Sequence, residues 1–528
     1  MKIPRRELLK LSALATAGSV LGCNDGSSAE PPVEDNVVHL LPSASSDRIL
    51  VKASFLDPLT DVPDLIVDGT RVPGTLDDSD QQYFSFDAAG LEPGREYQLE
   101  LRVGRVHQIE PWTLRTLPAR EANVDRLRIL AFTCAGGHQA LPISLPTETR
   151  RRMFQRGLSF APDIAIANGD HVYWDLTLVL SSSILGKSPT AIAIAGEFDR
   201  GMPVMGTDNE QVLKKAVEAQ IPQLYGTLFQ STPLFFMQDD HDYFENDEYR
   251  EGMPPQFTFP PSDFSRELAH ATQRMYYPEL LPDAAQPLDL PGAGLPGRPA
   301  GVNASFGTVR YGTLFEGLMY DCKGYITLDG DNGVFVPPAV EDWLLDRMRN
   351  SPAQHVMNLP SNPMGWTAGK YAEWYPDVLL DGELGLGAPK PGWQQGWLSQ
   401  HDRILSAASA MDRLPMFVSG DIHSHAEGRI FESMSADFSN NPIISVITGT
   451  PATFGVGWPS KVRNTRAMPS KVLTMEENLP ALEENGFNII DVEPTRITVR
   501  SFRFDGFNDD PSIIDTLEPF RESVFERG

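Results

Sequence analysis

The 528-residue chain is poor in cysteine, in basic residues and in long apolar runs. Its three cysteines can close one disulfide at most, which excludes a cysteine-framework fold. A chain of this length buries a large core without such staples. Lysine and arginine total 44 against 71 aspartates and glutamates, a formal charge of −27. A general nucleic-acid binder needs basic residues to displace phosphate counterions, so that class is set aside. A phosphate-bearing substrate is not excluded, because bound cations reverse the local field. No apolar stretch reaches the roughly 20 residues a spanning helix needs. The segment 176–194 comes nearest, but Ser181, Ser182, Ser183, Gly186, Lys187, Ser188 and Pro189 break it. It reads as a loop-and-helix insertion, a candidate lid. The composition that remains, 41% hydrophobic and 22% charged, is that of a folded protein.

The N-terminus reads as an address. Lys2, Arg5, Arg6 and Lys10 precede an apolar stretch, Leu11 to Gly22, that suits a signal-peptide core. Arg5-Arg6 followed by Leu8-Leu9-Lys10 resembles a twin-arginine export signal, a pathway that carries folded cargo. Val20-Leu21-Gly22-Cys23 resembles a lipobox, although Leu21 is not the commonest residue there. The expectation is a signal peptide over 1–23 and an exported, periplasmic or cell-surface protein. Its membrane attachment is a lipid on Cys23; the alternative is plain cleavage with Cys23 lost or unmodified. Residues 24–36, polar with two prolines, form a flexible linker.

Two folded parts follow. Over 37–120, short β-runs (Arg48 to Phe55, Tyr83 to Phe86, Tyr97 to Val103) alternate with turn pairs at Asp68-Gly69, Pro73-Gly74 and Pro93-Gly94. This predicts an immunoglobulin- or fibronectin-like β-sandwich without catalytic clustering. His39 and His107 read as packing or surface residues. From residue 125 to 510 the pattern is α/β, with helical periods at Asn209 to Leu228 and Val340 to Arg349. Residues 511–528 read as a C-terminal tail. Segments 252–261, 282–299 and 382–392, rich in Pro and Gly, read as long surface loops.

Four apolar runs in the second part each end in a polar cluster. Arg128 to Phe132 runs into Thr133-Cys134, and Ile164 to Ala167 into Asn168-Gly169-Asp170-His171-Val172-Tyr173. Leu234 to Met237 runs into Asp239-Asp240-His241-Asp242, and Pro415 to Ser419 into Gly420-Asp421-Ile422-His423. Functional groups gather at the carboxyl ends of strands in α/β sheets. A carboxylate such as Asp170 can bridge two metal ions. Tyr173, three residues on, can turn its phenol to the same ion if that ion is acidic enough, hence ferric. Cys134 is a further candidate, since a thiolate needs a metal or positive partner. Asp421 and His423 can reach the same centre. One position then mixes Cys, Tyr, Asp and His; the other is oxygen-rich and suits calcium. Taken singly, each residue has a plainer reading: a Cys134–Cys322 disulfide, Tyr173 as core packing, His423 and His425 as surface or loop histidines.

The order Phe-Thr-Cys, Gly-Asp-His-Val-Tyr, Asp-Asp-His-Asp with Glu245-Asn246 soon after, and Gly-Asp-Ile-His-Ser resembles the alkaline phosphatase D (PhoD-like) family of calcineurin-like metallophosphoesterases. The resemblance spans nearly the whole mature chain. It implies a four-layer α/β/β/α sandwich, two mixed sheets flanked by helices, after the β-module. It implies phosphate-ester hydrolysis, of mono- or diesters, by metal-activated hydroxide at a binuclear Fe3+/Ca2+ centre. By position, Cys134, Asp170, Tyr173 and His423 would hold iron. Asp170 would bridge to calcium, held also by Asp240 and Asp421, and His241 would be catalytic, facing the leaving group.

The sequence departs from the family's pattern at Tyr320-Asp321-Cys322-Lys323, where Asp-Thr-Arg is usual. Lys323 would then bind substrate as a point charge and not as a fork. Asn358 is a second, weaker substrate contact. Cys322 has no assigned task. A monomer is expected. The competing reading is a non-catalytic, metal-containing surface lipoprotein that binds glycans or cell-wall polymers. A third, a nuclease-like two-metal hydrolase, is disfavoured by the absence of a basic stripe.

Overall fold

The computed structural model describes residues 33–138, 144–174, 189–243, 260–452, 460 and 464–527. The expected signal peptide, most of the expected linker, residues 176–188 of the insertion, and Glu245-Asn246 lie outside the described residues. Cys134 and Cys322 are both buried, and no disulfide joins them. No helix among the described residues is long and apolar enough to cross a membrane.

The N-terminal part is two antiparallel sheets packed face to face. One is ordered Val37–Ala44, Arg48–Phe55, Tyr83–Ala89, Thr75–Leu76. The other is ordered Thr70–Pro73, Asp64–Val67, Glu96–Val103, Val106–His107, with Trp112–Arg115 also paired to Glu96–Val103. Alternation sets the faces: Tyr97, Leu99 and Leu101 are buried while Glu96 and Gln98 are exposed. The buried set meets Ile49, Val51 and Ala53 of the facing sheet in one core.

The second part is built on two mixed sheets. The six-stranded sheet runs Leu234–Met237, Ile164–Asn168, Leu127–Phe132, Asn485–Glu493, Arg496–Phe504, Arg521–Glu526. The seven-stranded sheet runs Phe306–Tyr311, Phe315–Tyr320, His355–Pro360, Met416–Ser419, Ile443–Ile447, His425–Glu432, Thr474–Leu482. Their strands read as continuous apolar runs because both faces are covered. Ile129 and Ala131 point between the sheets, with Met357, Leu359, Met416 and Val418. Leu130 and Phe132, one residue out of phase, meet Phe154 of helix Thr147–Leu158 and Leu213 of helix Asp208–Val217. On the other side Leu318 and Phe417 pack on Leu344 of helix Pro338–Asn350 and Leu405 of helix Gln395–Ser409. The result is the predicted α/β/β/α sandwich.

Two sequence expectations are corrected. The helix expected over 209–228 ends at Val217, and a separate turn spans Pro222–Tyr225. Proline cannot continue the hydrogen-bond ladder, and Gly226, at φ +52°, turns the chain away. The expected tail is part of the fold: Arg521–Glu526 is the edge strand of the six-stranded sheet, and Ile514 is buried beneath the outer helices. Alternation in this charged edge strand leaves only Ser523 and Phe525 buried, too faint a pattern to mark a strand.

The two parts are joined by buried polar contacts. Lys52 Nζ lies 2.9 Å from Glu279, Arg298 Nε 2.7 Å from the same carboxylate, and Arg298 Nη2 3.0 Å from Asp77. Burial opposes ionisation of Glu279, but Lys52 and Arg298 outweigh it and its pKa falls below the usual value. Removing one partner of such a cluster strands the others, at a cost of about 3–5 kcal/mol. Glu279→Ala is expected to lower stability by that order in urea unfolding; a loss indistinguishable from zero would show that the cluster is not holding the junction.

His39 sits on the same junction. Its Nδ1 is 2.5 Å from Ser54 Oγ and its Nε2 2.9 Å from the Tyr276 carbonyl. Burial, aided by Lys52 and opposed by that carbonyl, pushes its pKa down to about 4. The unfolded chain therefore binds the proton more readily between pH 6.5 and 4. The stability due to neutral His39 is complete above about pH 6.5 and is lost as pH falls through 4, up to about 3 kcal/mol. His39→Gln should flatten the pH dependence of stability in that window relative to the parent chain. Parallel curves would reject the assignment.

Candidate metal centre

The four polar clusters converge where the parallel strands end. The strands preceding Cys134, Asp170 and Asp239 are neighbours in parallel register. The strand preceding Asp421 comes from the other sheet, and Asn168 ties the two together by donating to the Pro360 and Val418 carbonyls at 3.0 and 3.3 Å. Close approach explains the glycines of the Gly-Asp pairs. A Cβ on Gly169, which has φ +82°, would stand 2.6 Å from Asp239 Cβ, and one on Gly420 would collide with Thr133 and the Asn168 carbonyl. Cys134, Asp170, Asp421 and His423 themselves hold φ of +51°, +56°, +73° and +47°. Such backbone costs about 1–3 kcal/mol per residue and gathers at functional sites.

Asp242 fixes the turns. Its carboxylate accepts from four backbone N–H groups: Asp170 at 2.9 Å, His171 at 2.8 Å, Val172 at 3.1 Å and Asp239 at 2.9 Å. His171, inside the Gly-Asp-His motif, is a core residue; its Nε2 meets the Met237 carbonyl at 2.8 Å, and its ring packs edge-on to Phe236 and Tyr277.

Around Asp170 the predicted iron ligands come together. The Cys134 thiol lies 3.3 Å and the Tyr173 hydroxyl 2.9 Å from Asp170 Oδ2, and that hydroxyl is 3.0 Å from His423 Nε2. His241, half-buried, lays its ring 4.2 Å from the Tyr173 ring. Among the described residues, three overlapping groups bring their ligand atoms within 4.8 Å of one another: Cys134–Asp170–His423, Asp170–Asp240–His241 and Asp239–Asp240–Asp421. Asp170 and Asp240 are the shared members.

The electrostatics call for cations. Burial, then the neighbouring carboxylates, pushes Asp170 well above the usual carboxylate range. Asp239 and Asp421 are raised chiefly by burial as well, against the pull of Lys323 on the first and Lys370 on the second. Burial and Asp170 push the Cys134 thiol up. Burial, His241 and Lys370 push His423 down to about 3, leaving a neutral imidazole fit to ligate. Asp170 Oδ1, Asp421 Oδ2 and both oxygens of Asp239 are buried without a hydrogen bond. Such oxygens are costly unless a cation takes them, so the donor set fits metal.

Of the predicted substrate contacts, Lys323 is buried beside the cluster. Its Nζ is 3.9 Å from Asp239 and donates to the Ala372 carbonyl at 3.3 Å. Asn358 is not brought to the site. It stands mid-strand between Met357 and Leu359, which face the inter-sheet core, and so points the other way, 3.6 Å from Met348 of helix Pro338–Asn350. His425 is buried with its ring against Phe520. Sequence reasoning assigned no role to Asp239, Asp242 or Lys370. The Asp239-Asp240 doublet was the available signal for the first; nothing around Lys370 marked it.

A comparison of folds decides the architecture. The structure matches "Structure of PhoD" with a TM-score of 0.61 at 13% identity, over 96% of this chain and 92% of that one. The chain has the fold of PhoD. It also matches the purple acid phosphatase PPD1 from yellow lupin (Lupinus luteus) seeds, with a TM-score of 0.54 at 12% identity, over 93% of this chain and 74% of that one. No family model and no curated protein matches the sequence. The PhoD-like resemblance drawn from about 25 motif residues is thus met by a match of the whole fold, an α/β/β/α sandwich behind an N-terminal β-module.

Asp242→Ala would leave four buried N–H groups unpaired, each worth about 1–3 kcal/mol. The variant is expected to lose several kcal/mol in denaturant unfolding and to retain less metal by elemental analysis. Unchanged metal content would show that the turns hold their shape without it.

Proposed function

We propose that the chain is an exported, PhoD-like phosphoric ester hydrolase working at a binuclear Fe3+/Ca2+ centre. The observation that carries this reading is the set of three overlapping ligand groups sharing Asp170 and Asp240 at the strand ends of a PhoD fold. Cys134, Asp170, Tyr173 and His423 would hold the iron; Asp170 would bridge, with Asp239, Asp240 and Asp421 on the calcium side. When bound, the two ions would supply Lewis acidity toward phosphoryl oxygens and a water acidic enough to ionise at neutral pH.

The chain's own groups set the rest of the chemistry. His241, the partly open member of the cluster, hydrogen-bonds the leaving oxygen and hands it a proton, as a general acid must. Its contact with the Tyr173 ring fixes its direction. Lys323 adds charge beside Asp239 and does not reach out as a phosphate fork. Export by a twin-arginine signal, with lipid on Cys23, is part of the proposal and rests on the order of basic residues, apolar core and Cys23. The protein acts as a monomer, and the acidic charge balance of the sequence leaves nucleic acid out of its substrates.

The test is hydrolysis of paired chromogenic phosphomonoester and phosphodiester substrates by metal-loaded protein, with and without calcium chelation. Activity on at least one, lost with the chelator, is expected, with iron and calcium in the purified protein and a visible absorption band from Cys134 and Tyr173. His241→Ala should lower turnover by about 100-fold and keep its metal; Asp170→Asn should lose both. Zinc alone without visible absorption would overturn the metal assignment, and no hydrolysis by loaded protein would favour the glycan-binding reading.

A further inference from the structure

The described residues hold two pockets of three carboxylates, and each contains a lysine. In the first, Lys214 Nζ stands 2.7 Å from Asp78, 2.7 Å from Asp80 and 2.8 Å from Glu210. One ammonium, with three donors, satisfies that pocket. In the second, Lys370 Nζ is 2.5 Å from Asp421 Oδ1 but 3.7 Å from Asp240 Oδ2. Asp421 Oδ2 and both oxygens of Asp239 accept no hydrogen bond. The ammonium covers part of this pocket and leaves oxygens over.

Lys370 is not a loose side chain that has fallen inward. It is 3% exposed and its loop is tied at both ends. Glu373 accepts from Thr367 Oγ1 and the Ala368 N–H, each at 2.7 Å, and pairs with Lys390 at 2.7 Å. The Ala372 carbonyl accepts from Lys323 and Asn362 at 3.3 and 3.2 Å. The fold delivers a positive charge to a place that, on the two-metal reading, belongs to the second cation.

We propose that Lys370 is a tethered counter-cation of the Asp239–Asp240–Asp421 pocket, which the second metal must displace from Asp421 before it can bind. The two metal positions therefore differ in kind. The Cys134–Asp170–Tyr173–His423 position adds a thiol, a phenol and an imidazole to its one carboxylate and keeps its ion. The carboxylate position competes with Lys370 for the same oxygens and exchanges its ion with solvent. A dication and an ammonium on one carboxylate also repel each other, so removing the lysine strengthens calcium binding. This rests on the two-cation reading above.

The experiment uses the full mature chain purified as holoprotein, stripped of calcium by dialysis against a calcium-selective chelator. It is then titrated with calcium chloride by calorimetry, with iron counted separately by elemental analysis. Lys370→Met is expected to bind calcium at least tenfold more tightly than the parent, and Lys370→Arg, which keeps a cation, no more tightly than the parent. Iron content is expected to be equal in all three. Equal or weaker calcium binding by Lys370→Met overturns the proposal, as does a parent that binds no calcium at millimolar concentration. If Lys370→Met does not survive stripping, the rise of Tm with calcium replaces calorimetry. A steeper rise than the parent's supports displacement, and a matching rise overturns it. Loss of iron from every form, with the calcium result intact, would fall on the iron assignment and leave the role of Lys370 standing.

Discussion

Like charge confined where water cannot screen it is the constraint around which this molecule is organised. Asp170, Asp239, Asp240 and Asp421 are each no more than 2% exposed, and their oxygens lie in overlapping groups only a few ångströms across. At low effective dielectric such a cluster cannot all ionise without compensation. The fold answers in three ways. A fifth carboxylate, Asp242, is stabilised by four backbone N–H groups and becomes the peg on which two turns hang. Two lysines, Lys323 and Lys370, are carried into the cluster from other loops. The remaining buried oxygens stay open to cations.

The same constraint dictates backbone features that packing alone would not select. To bring four strand ends from two sheets together, the chain accepts left-handed conformations at Cys134, Asp170, Asp421 and His423. It also gives up side chains at Gly169 and Gly420. These are local costs, sustained because the sandwich around them is over-determined by three apolar layers. Asn168 shows the economy of the arrangement: a polar residue at the end of a buried strand spends its amide linking the sheets.

Much of this was legible in the sequence because it rests on short-range patterns. Apolar runs ending in Gly-Asp or Asp-Asp-His mark strand ends, and the structure places Cys134, Asp170, Tyr173, Asp240, His241, Asp421 and His423 in one cluster as those endings suggested. Positions that depend on contacts distant in sequence were not legible. Lys370 meets Asp421 across 51 residues from a loop with no motif. Asn358 resembled a site residue in linear order, yet strand alternation turns it toward a helix. The final strand, Arg521–Glu526, carries too many charges to announce itself, because an edge strand needs only one buried face.

What separates a metal site from a knot of salt bridges is whether a cation of the chain stands within hydrogen-bond distance of every carboxylate. The junction between the two parts of the molecule is such a knot. Asp77 and Glu279 meet Lys52, Arg274 and Arg298 at ion-pair distance, and positive charge is not short. The Lys214 pocket is another, closed by three near-equal contacts. The strand-end cluster has the same ingredients in a different ratio, and its surplus is of carboxylate. A surplus that no side chain answers, in a place no water screens, is stable only if something from outside the chain completes it. The chain has placed a thiol, a phenol and a neutral imidazole beside that surplus, where they add ligand atoms without adding charge.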